Sequence, residues 1–230
     1  MPSPKLSIVI PVFNEKETVI KVLEAIRAVP IEKEVIVVDD GSTDGTRPLL
    51  HAWLRQHAEF KIIFHRKNRG KGSAVAEGFK AATGDAVIIQ DADLEYDPHD
   101  YPKLLRAYEK PGVQVVYGSR FLKTRKSTSF WHWSVNAFLT SLTNILYGSR
   151  LTDMETCYKL MKRDVAKSLH VSSQGFEIEP EITAKLLKAG HSIAEVPISY
   201  HGRSYHDGKK INWKDGIKTV WALLAYRFWR

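Results

Sequence analysis

Two short runs of apolar residues, many of them β-branched, restrict the fold of this chain more than any other feature. They occupy residues 6–11 and 35–38, and such runs are typical of strands that are buried on both faces of a sheet. Residues 15–29, which lie between them, place apolar side chains at helical spacing, with Asn14 as a candidate helix cap. A strand, a helix and a second strand in this order predict a βαβ unit and a mainly parallel sheet.

The same alternation continues through the first half of the chain and predicts an α/β fold in which helices flank the sheet. Further strands are predicted at 61–65, 86–90 and 113–118, and further helices at 46–57, 72–82 and 100–109. A chain of 230 residues fits one domain. Because the composition changes near residue 120, we divide that domain into halves at 1–120 and 121–230.

Acidic and glycine residues cluster where the predicted strands end. Residues 11–15, 39–42 and 91–93 each follow an apolar run directly. In open α/β sheets, ligands bind in the crevice outside the carboxyl ends of the strands. Three such segments therefore predict a binding site at one edge of the sheet.

Asp91 and Asp93 are the candidate metal ligands at this edge. Residues two apart in an extended chain point the same way, so both carboxylates can address one ligand. Carboxylate oxygens suit Mg²⁺ or Mn²⁺, which keep other positions for water and substrate phosphates. A solvated turn is the alternative, and the buried strand before the pair and Glu95 after it favour the metal.

Two neighbouring loops leave alternatives open. Asp40 can accept hydrogen bonds from a ribose or a base edge, whereas Asp44 is better explained as part of a helix cap. The segment 68–72 is glycine-rich and basic and precedes a helix. It could hold a phosphate through backbone N–H groups or serve only to begin the helix, and it lacks the spacing of a P-loop.

The second half contains two amphipathic helical patterns, at residues 130–147 and 213–229. Residues 127–149 carry no formal charge, but polar residues recur at helical spacing, so we predict that neither segment crosses a bilayer. Each apolar face is rich in tryptophan, which is common where one side is apolar and the other wet. We predict that both faces lie on a membrane surface, and packing on the protein's own core is the alternative.

Charge and cysteine content restrict the partners and the compartment. The net charge of +8 and the pI of about 9.4 favour an anionic partner: nucleic acid, anionic lipid or phosphorylated substrates. Buried acids at the strand ends would repel a polyanion, so we predict no nucleic-acid binding. A single cysteine, Cys157, excludes an internal disulfide and suits a reducing compartment.

The combination of motifs resembles the family 2 glycosyltransferases of GT-A fold, a Rossmann-like fold. The motifs are residues 8–15, 37–42, 68–72, 84–85, 91–93 and 118–120. Over nearly the whole chain, the sequence is similar to the dolichyl-phosphate mannose and polyprenyl-phosphate glucose synthase branch, with later elements at 153–159, 177–181, 196–198 and 203–211. The resemblance implies a nucleotide-sugar-binding half at 1–120 and an acceptor-binding half at 121–230.

The resemblance also implies residue roles. The nucleotide sugar is expected to contact Pro11, Phe13, Glu15, Val38, Asp40, Asp91, Ala92, Asp93, Arg203 and Lys209. The residues expected to act in catalysis are Asp91, Asp93 and Arg120, and the metal ligands are Asp91, Asp93 and Glu95. Since the family often continues into transmembrane helices and this chain ends at Arg230, attachment is expected through the amphipathic helices, a membrane-anchoring protein partner, or both.

The reaction implied is a metal-dependent, inverting transfer of mannose or glucose from GDP-mannose or UDP-glucose to a polyprenyl or dolichyl phosphate. Such an acceptor is largely anionic at neutral pH and needs cationic groups more than a general base. The expected location is the cytoplasmic face of a membrane. The alternatives are a glycosyltransferase with a non-lipid acceptor, a phosphatase or phosphotransferase that uses the D-x-D motif, and a basic binding module without enzymatic activity.

Overall fold

One sheet of seven strands organises the protein. The computed structural model describes residues 4–122, 130–175, 177–202 and 213–229. The strands are β1 (Leu6–Val12), β2 (Lys33–Asp39), β3 (Phe60–Phe64), β4 (Ala86–Ile89), β5 (Val115–Ser119), β6 (Lys159–Lys162) and β7 (Ile193–Pro197). Their order is β3-β2-β1-β4-β6-β5-β7. β6 is antiparallel to β4 and β5, and the other pairs are parallel. The predicted α/β class with a mainly parallel sheet is confirmed.

The helices connect the strands and cover the sheet. They are α1 (Val19–Ala28), α2 (Thr46–Leu54), α3 (Lys71–Ala81), α4 (Tyr101–Tyr108), α5 (Phe130–Tyr147), α6 (Arg163–Ser168), α7 (Ile178–Lys188) and α8 (Trp213–Phe228), and a 3-10 turn at Pro98–Asp100 precedes α4. The packing is close: a Cβ added at Gly78 of α3 would lie 2.2 Å from Cγ1 of Val9 on β1. The apolar runs read from the sequence form the buried centre of the sheet.

The first helix begins later than the sequence suggests. Asn14 does not cap it; the residue before α1 is Thr18. Asn14 instead has a left-handed backbone with φ of 54°, and its side-chain oxygen accepts a hydrogen bond from the amide of Thr43 at 2.9 Å. The predicted cap is therefore wrong, because the side chain joins two strand-end loops rather than a helix end.

The helices α5 and α8 pack against each other. On α5, Asn136, Thr140 and Thr143 are buried beside Leu139, and Leu142 and Leu146 pack against the same small core. Large apolar side chains on both helices, and Trp229 just after α8, are more than half exposed. They are Phe138 and Ile145 on α5 and Ile217, Trp221 and Phe228 on α8. In the described parts of the chain, no helix is both long enough and apolar enough to span a bilayer.

Candidate active site at the carboxyl ends of the strands

The loops that follow β1 and β2 are held together at one edge of the sheet. The amide of Asn14 donates to Oγ of Ser42 at 3.0 Å, and the amide of Glu15 donates to Oγ1 of Thr46 at 3.0 Å. Asp44 accepts from the amide of Thr46 at 3.0 Å, which supports its predicted role at the start of α2. The predicted convergence of residues 11–15 with 39–42 is therefore present.

Asp40 is buried and has partners on both carboxylate oxygens. Its Oδ1 lies 2.7 Å from Nδ1 of His65 and accepts from the amide of Arg69 at 2.9 Å. Its Oδ2 accepts from the amide of Gly70 at 2.7 Å. The carboxylate thus fixes the loop after β3 in place. A contact between Asp40 and a nucleoside stays a prediction. It would use lone pairs of the carboxylate oxygens that these three hydrogen bonds leave unoccupied.

The glycines of the 68–72 loop are required by close backbone packing. A Cβ at Gly70 would lie 2.0 Å from the carbonyl oxygen of Gln174, and one at Gly72 would lie 1.8 Å from that of Ser173. The amide of Gly72 donates to the Gln174 carbonyl at 2.9 Å. The amides of residues 69, 70 and 72 already donate within the protein, which favours the role in beginning the helix, and a phosphate contact of this loop stays a prediction.

A chain of charged side chains leads from Asp91 to the second half of the protein. Nζ of Lys71 lies 2.8 Å from Oδ1 of Asp91 and 3.0 Å from Oε1 of Glu179. The other oxygen of Glu179 lies 2.5 Å from Nζ of Lys159, a lysine that is 0% exposed. Burial by itself would lower the pKa of Lys71, but Asp91 and Glu179 outweigh it and raise that pKa well above its usual value. Lys71 therefore stays charged and couples β4, α3 and α7.

The remaining acids of the predicted metal set, Asp93 and Glu95, lie on either side of a strained residue. Leu94 has φ of 65°, a left-handed conformation that costs a non-glycine residue about 1–2 kcal/mol and is common at functional sites. Oδ1 of Asp93 accepts from the amide of Glu95 at 3.1 Å, and Glu95 accepts from the hydroxyl of Tyr200 at 2.8 Å. Among the described residues, no three His, Cys, Asp or Glu side chains form a group that could hold a metal ion.

Arg120 lies at the end of β5 and is paired with Asp153. Its Nε and Nη2 each lie 2.7 Å from an oxygen of Asp153, which is 0% exposed. The guanidinium carbon also lies 5.1 Å from the centroid of the Tyr200 ring. This geometry orients Arg120 and balances much of its charge, so a phosphate contact would share the guanidinium with Asp153.

Glu155 is a partly buried acid that the sequence analysis did not single out. Burial raises its pKa to about 7. No hydrogen-bond partner of its Oε1, an atom that is shielded from solvent, exists among the described residues. Sequence reasoning also gave no role to Lys159 and Glu179. Their signal was a charge within otherwise apolar runs, at residues 157–161 and 178–182.

The other predicted site residues that the structure describes occupy the same edge. Pro11, Phe13, Glu15 and Asp91 are partly buried, whereas Val38 and Ala92 are buried. Arg203 and Lys209 lie outside the described residues. Their predicted contacts with the nucleotide sugar stay predictions.

Comparison with known proteins assigns the chain. The model of the family described as "Glycosyl transferase family 2" matches residues 7–169. The chain belongs to glycosyl transferase family 2. It is therefore a glycosyltransferase, and the D-x-D phosphatase and the binding module without activity are not supported. The family match crosses residue 120, and the sheet takes strands from both predicted halves.

Three relatives of this family 2 member are similar over most of the chain. An uncharacterized protein of Methanocaldococcus jannaschii is 30% identical, over 88% of this chain and 93% of that protein. A dolichol-phosphate mannosyltransferase of Pyrococcus furiosus is 31% identical, over 96% of this chain and 64% of its own length. A dodecaprenyl-phosphate galacturonate synthase of Rhizobium johnstonii is 27% identical, over 98% and 67%. The chain thus spans about two thirds of the two relatives that are named for an activity.

Solved structures of low sequence identity share the fold. Glucosyl-3-phosphoglycerate synthase from Mycobacterium tuberculosis, in complex with Mn²⁺, UDP and glucosyl-3-phosphoglycerate, matches with a TM-score of 0.73 at 21% identity, over 97% of this chain and 80% of that chain. Mannosyl-3-phosphoglycerate synthase from Rubrobacter xylanophilus matches with a TM-score of 0.74 at 20% identity, over 97% and 72%. These matches confirm the GT-A fold.

Proposed function

We propose that this family 2 glycosyltransferase transfers a hexose from a nucleotide sugar, GDP-mannose or UDP-glucose, to a polyprenyl or dolichyl phosphate. The observation that carries the proposal is the outer surface of α5 and α8, where Phe138, Ile145 and Trp221 are exposed. Such a surface suits contact with a membrane that holds a lipid-linked acceptor, whereas a small water-soluble acceptor would make no use of it. The names of the two relatives from Pyrococcus furiosus and Rhizobium johnstonii agree with a lipid phosphate acceptor.

The same surface supports peripheral attachment to the cytoplasmic face of a membrane. On α8, Trp221 and Phe228 are exposed on the outer side, and Lys218 and Arg227 lie on the same helix and are also exposed. Aromatic side chains enter the headgroup boundary, and neighbouring cations meet anionic lipid. Attachment through these helices does not require a membrane-anchoring protein partner, although such a partner would cover the same apolar surface.

The proposed reaction is a single displacement with inversion. An acceptor phosphate, whose second ionisation lies near about pH 6, presents an anionic oxygen to C1 of the sugar. As the new C1–O bond forms, the bond from C1 to the diphosphate breaks, and its electron pair leaves with the nucleoside diphosphate. The protein must hold two anionic groups close together, and Lys71 and Arg120 are the described cations at this edge that can do so.

The residues at the end of β4 fit a divalent cation that is bound mainly by its nucleotide. Asp91 and Asp93 supply hard oxygen ligands, and such ions commonly take one or two carboxylates, with phosphates and water completing the shell. Mg²⁺ or Mn²⁺ would offset charge on the leaving diphosphate. Glu95, the third predicted ligand, is held by the Tyr200 hydroxyl at 2.8 Å and would join after a rotation away from it.

An acceptor panel tests the activity. Radiolabelled GDP-mannose and UDP-glucose, each with Mn²⁺ and with Mg²⁺, are incubated with farnesyl phosphate, undecaprenyl phosphate or 3-phosphoglycerate. We expect labelled product with the isoprenyl phosphates. Transfer to 3-phosphoglycerate alone would show that this chain uses a non-lipid acceptor. The two solved structures are named for phosphoglycerate products, which is why this acceptor is included.

Sedimentation with liposomes tests the membrane surface separately. We expect the wild type to bind vesicles that contain anionic lipid, and to bind less as salt rises. Trp221→Ser combined with Phe228→Ser should weaken binding. Leu122→Ser, which changes an exposed apolar residue outside both helices, is the control and should not. If the wild type stays in the supernatant at low salt, the surface belongs to a protein partner or a second copy instead.

A further inference from the structure

Glu155 lies among four charged side chains that already balance each other. Arg120 follows β5, Asp153 is in the same loop as Glu155, Lys159 is on β6 and Glu179 is on α7. Arg120 is paired with Asp153 at 2.7 Å, and Lys159 with Glu179 at 2.5 Å. Each cation therefore faces a carboxylate, and Glu179 also faces Lys71, whose other partner is Asp91. The cluster is neutral when Glu155 is protonated and carries one negative charge when Glu155 is ionised.

One oxygen of Glu155 is also left without a partner inside the protein. Oε1 is buried, and no described residue hydrogen-bonds to it. A buried polar atom of this kind costs about 1–3 kcal/mol unless a ligand or water satisfies it. Burial raises the pKa of Glu155 to about 7, and the attraction of Lys159 and Arg120 offsets only part of this effect. The carboxyl group is thus partly neutral at physiological pH, and when neutral it can donate a hydrogen bond.

The loop that carries Glu155 is connected to the predicted metal site. Lys159, four residues further along, is linked through Glu179 and Lys71 to Asp91. Glu155 therefore belongs to the side of the site that the second half of the chain supplies, away from the nucleotide side at β1 and β2. An anionic ligand on this side would meet repulsion from an ionised Glu155. A protonated Glu155 would give it a strong O–H···O⁻ hydrogen bond.

We propose that Glu155 is part of the acceptor-phosphate site and that, as a neutral carboxylic acid, it donates its O–H to an oxygen of that phosphate. The inference rests on the proposed function, because it takes the acceptor to be a phosphate. Glu155 keeps its proton during transfer and neither forms nor breaks a covalent bond. When Glu155 ionises, the acceptor is repelled, so binding of the acceptor weakens as the pH rises. A general base at this position would have the opposite effect.

The test compares the wild type with Glu155→Gln, which resembles the neutral acid in shape and can donate a hydrogen bond at every pH. The acceptor KM for farnesyl phosphate and the KM for the nucleotide sugar are measured between about pH 6 and about pH 8. A pKa of about 7 makes the neutral fraction of Glu155 fall about tenfold across this range. We expect the ratio of the wild-type acceptor KM to that of Glu155→Gln to rise about tenfold, and the KM for the nucleotide sugar to change equally in both proteins. Glu24→Gln, at an exposed position of α1, is the control and should follow the wild type.

Direct binding of farnesyl phosphate, followed by ³¹P NMR, separates this inference from the proposed function. If the wild type binds the phosphate more weakly above about pH 7 and transfers no sugar, the function is wrong and the role of Glu155 stands. If transfer occurs with a constant KM ratio, or if Glu155→Gln abolishes a rate that rises with pH, the inference is overturned. Absence of phosphate binding also overturns it. The wild type alone gives a second test. Farnesyl phosphate becomes more anionic over the same pH range, so without an effect of Glu155 it would bind the cations of the site more tightly as the pH rises.

Discussion

Asp40→Asn is expected to destabilise the protein, whatever its effect on nucleotide binding. The carboxylate of Asp40 is 2% exposed and has three partners: His65, the amide of Arg69 and the amide of Gly70. An asparagine has one oxygen in place of two, so its amide nitrogen would face one of these donors. The substitution therefore converts a hydrogen bond into a contact between two donors, at a site that water does not reach.

The size of the effect follows from these partners. Leaving one buried donor without an acceptor costs about 1–3 kcal/mol, and the two surviving bonds each lose about 1 kcal/mol when the acceptor is no longer charged. The free energy of unfolding should fall by about 3 to 5 kcal/mol. For a chain of this length, that loss corresponds to roughly 10 °C in the melting temperature.

Urea denaturation and thermal melting of Asp40→Asn measure this loss. Asp164→Asn is the control, since Asp164 is exposed and its ion pairs with Lys162 and Arg163 span 3.8 and 3.5 Å; its effect should stay within about 0.5 kcal/mol. Binding of UDP and GDP is measured on both variants. An Asp40→Asn protein of unchanged stability that has lost nucleotide binding would refute our reasoning and would give the carboxylate a direct role toward the nucleoside.

Three further predictions concern packing, the metal and pH. Gly72→Ala should lower the free energy of unfolding by about 3 kcal/mol or more, because its Cβ would lie 1.8 Å from a backbone oxygen of Ser173; Gly216→Ala, with nothing within 4 Å of the new methyl, should leave the melting temperature equal or higher. Asp93→Asn should reduce sugar transfer by about 100-fold or more without changing the melting temperature, and EDTA should abolish wild-type activity; Mn²⁺ binding followed by EPR should weaken in parallel, and near-normal binding would remove Asp93 from the metal site. Burial alone would raise the pKa of Glu181, but hydrogen bonds from Lys185 and the 172–173 segment lower it to about 2. Glu181→Gln should therefore destabilise the protein above about pH 4.5, and the difference from wild type should vanish as the pH falls toward about 2 in acid titrations of stability.

The sheet could be predicted from the sequence where strands are buried and β-branched. β1 and β4 were placed within one residue of their observed ends and β2 within two, since their pattern is distinctive in a short window. β6 was not predicted. Its four residues, Lys159–Lys162, begin and end with lysine, and the strand forms because it fills the space between β4 and β5. No local pattern encodes a strand of that kind.

The candidate site was predictable only where its chemistry follows the strands. Asp91, Asp93 and Asp40 were found because acids after apolar runs indicate strand ends. The bond from Lys71 to Glu179 joins residues 108 positions apart, and a pairing over such a distance cannot be read from spacing. The glycines of the 68–72 loop left two alternatives open for a related reason: the sequence does not show that they make room for a distant backbone segment. The apolar face of α5 was predicted to point outward, and its division into exposed Phe138 and Ile145 and buried Leu139 could not be predicted from an amphipathic pattern.

The position of β6 has a consequence for how the chain folds during its synthesis. β5 pairs only with β6 and β7, both of which are made later, and until then β4 has a partner on one side only. A fragment that ends at residue 120 would therefore leave β5 outside the sheet and expose the edge of β4, a surface that recruits other chains. Newly made chains must keep these edges covered until at least residue 162 has been added. This makes the first half a poor unit for expression or transplantation, even though it holds most of the residues that are predicted to bind the nucleotide sugar.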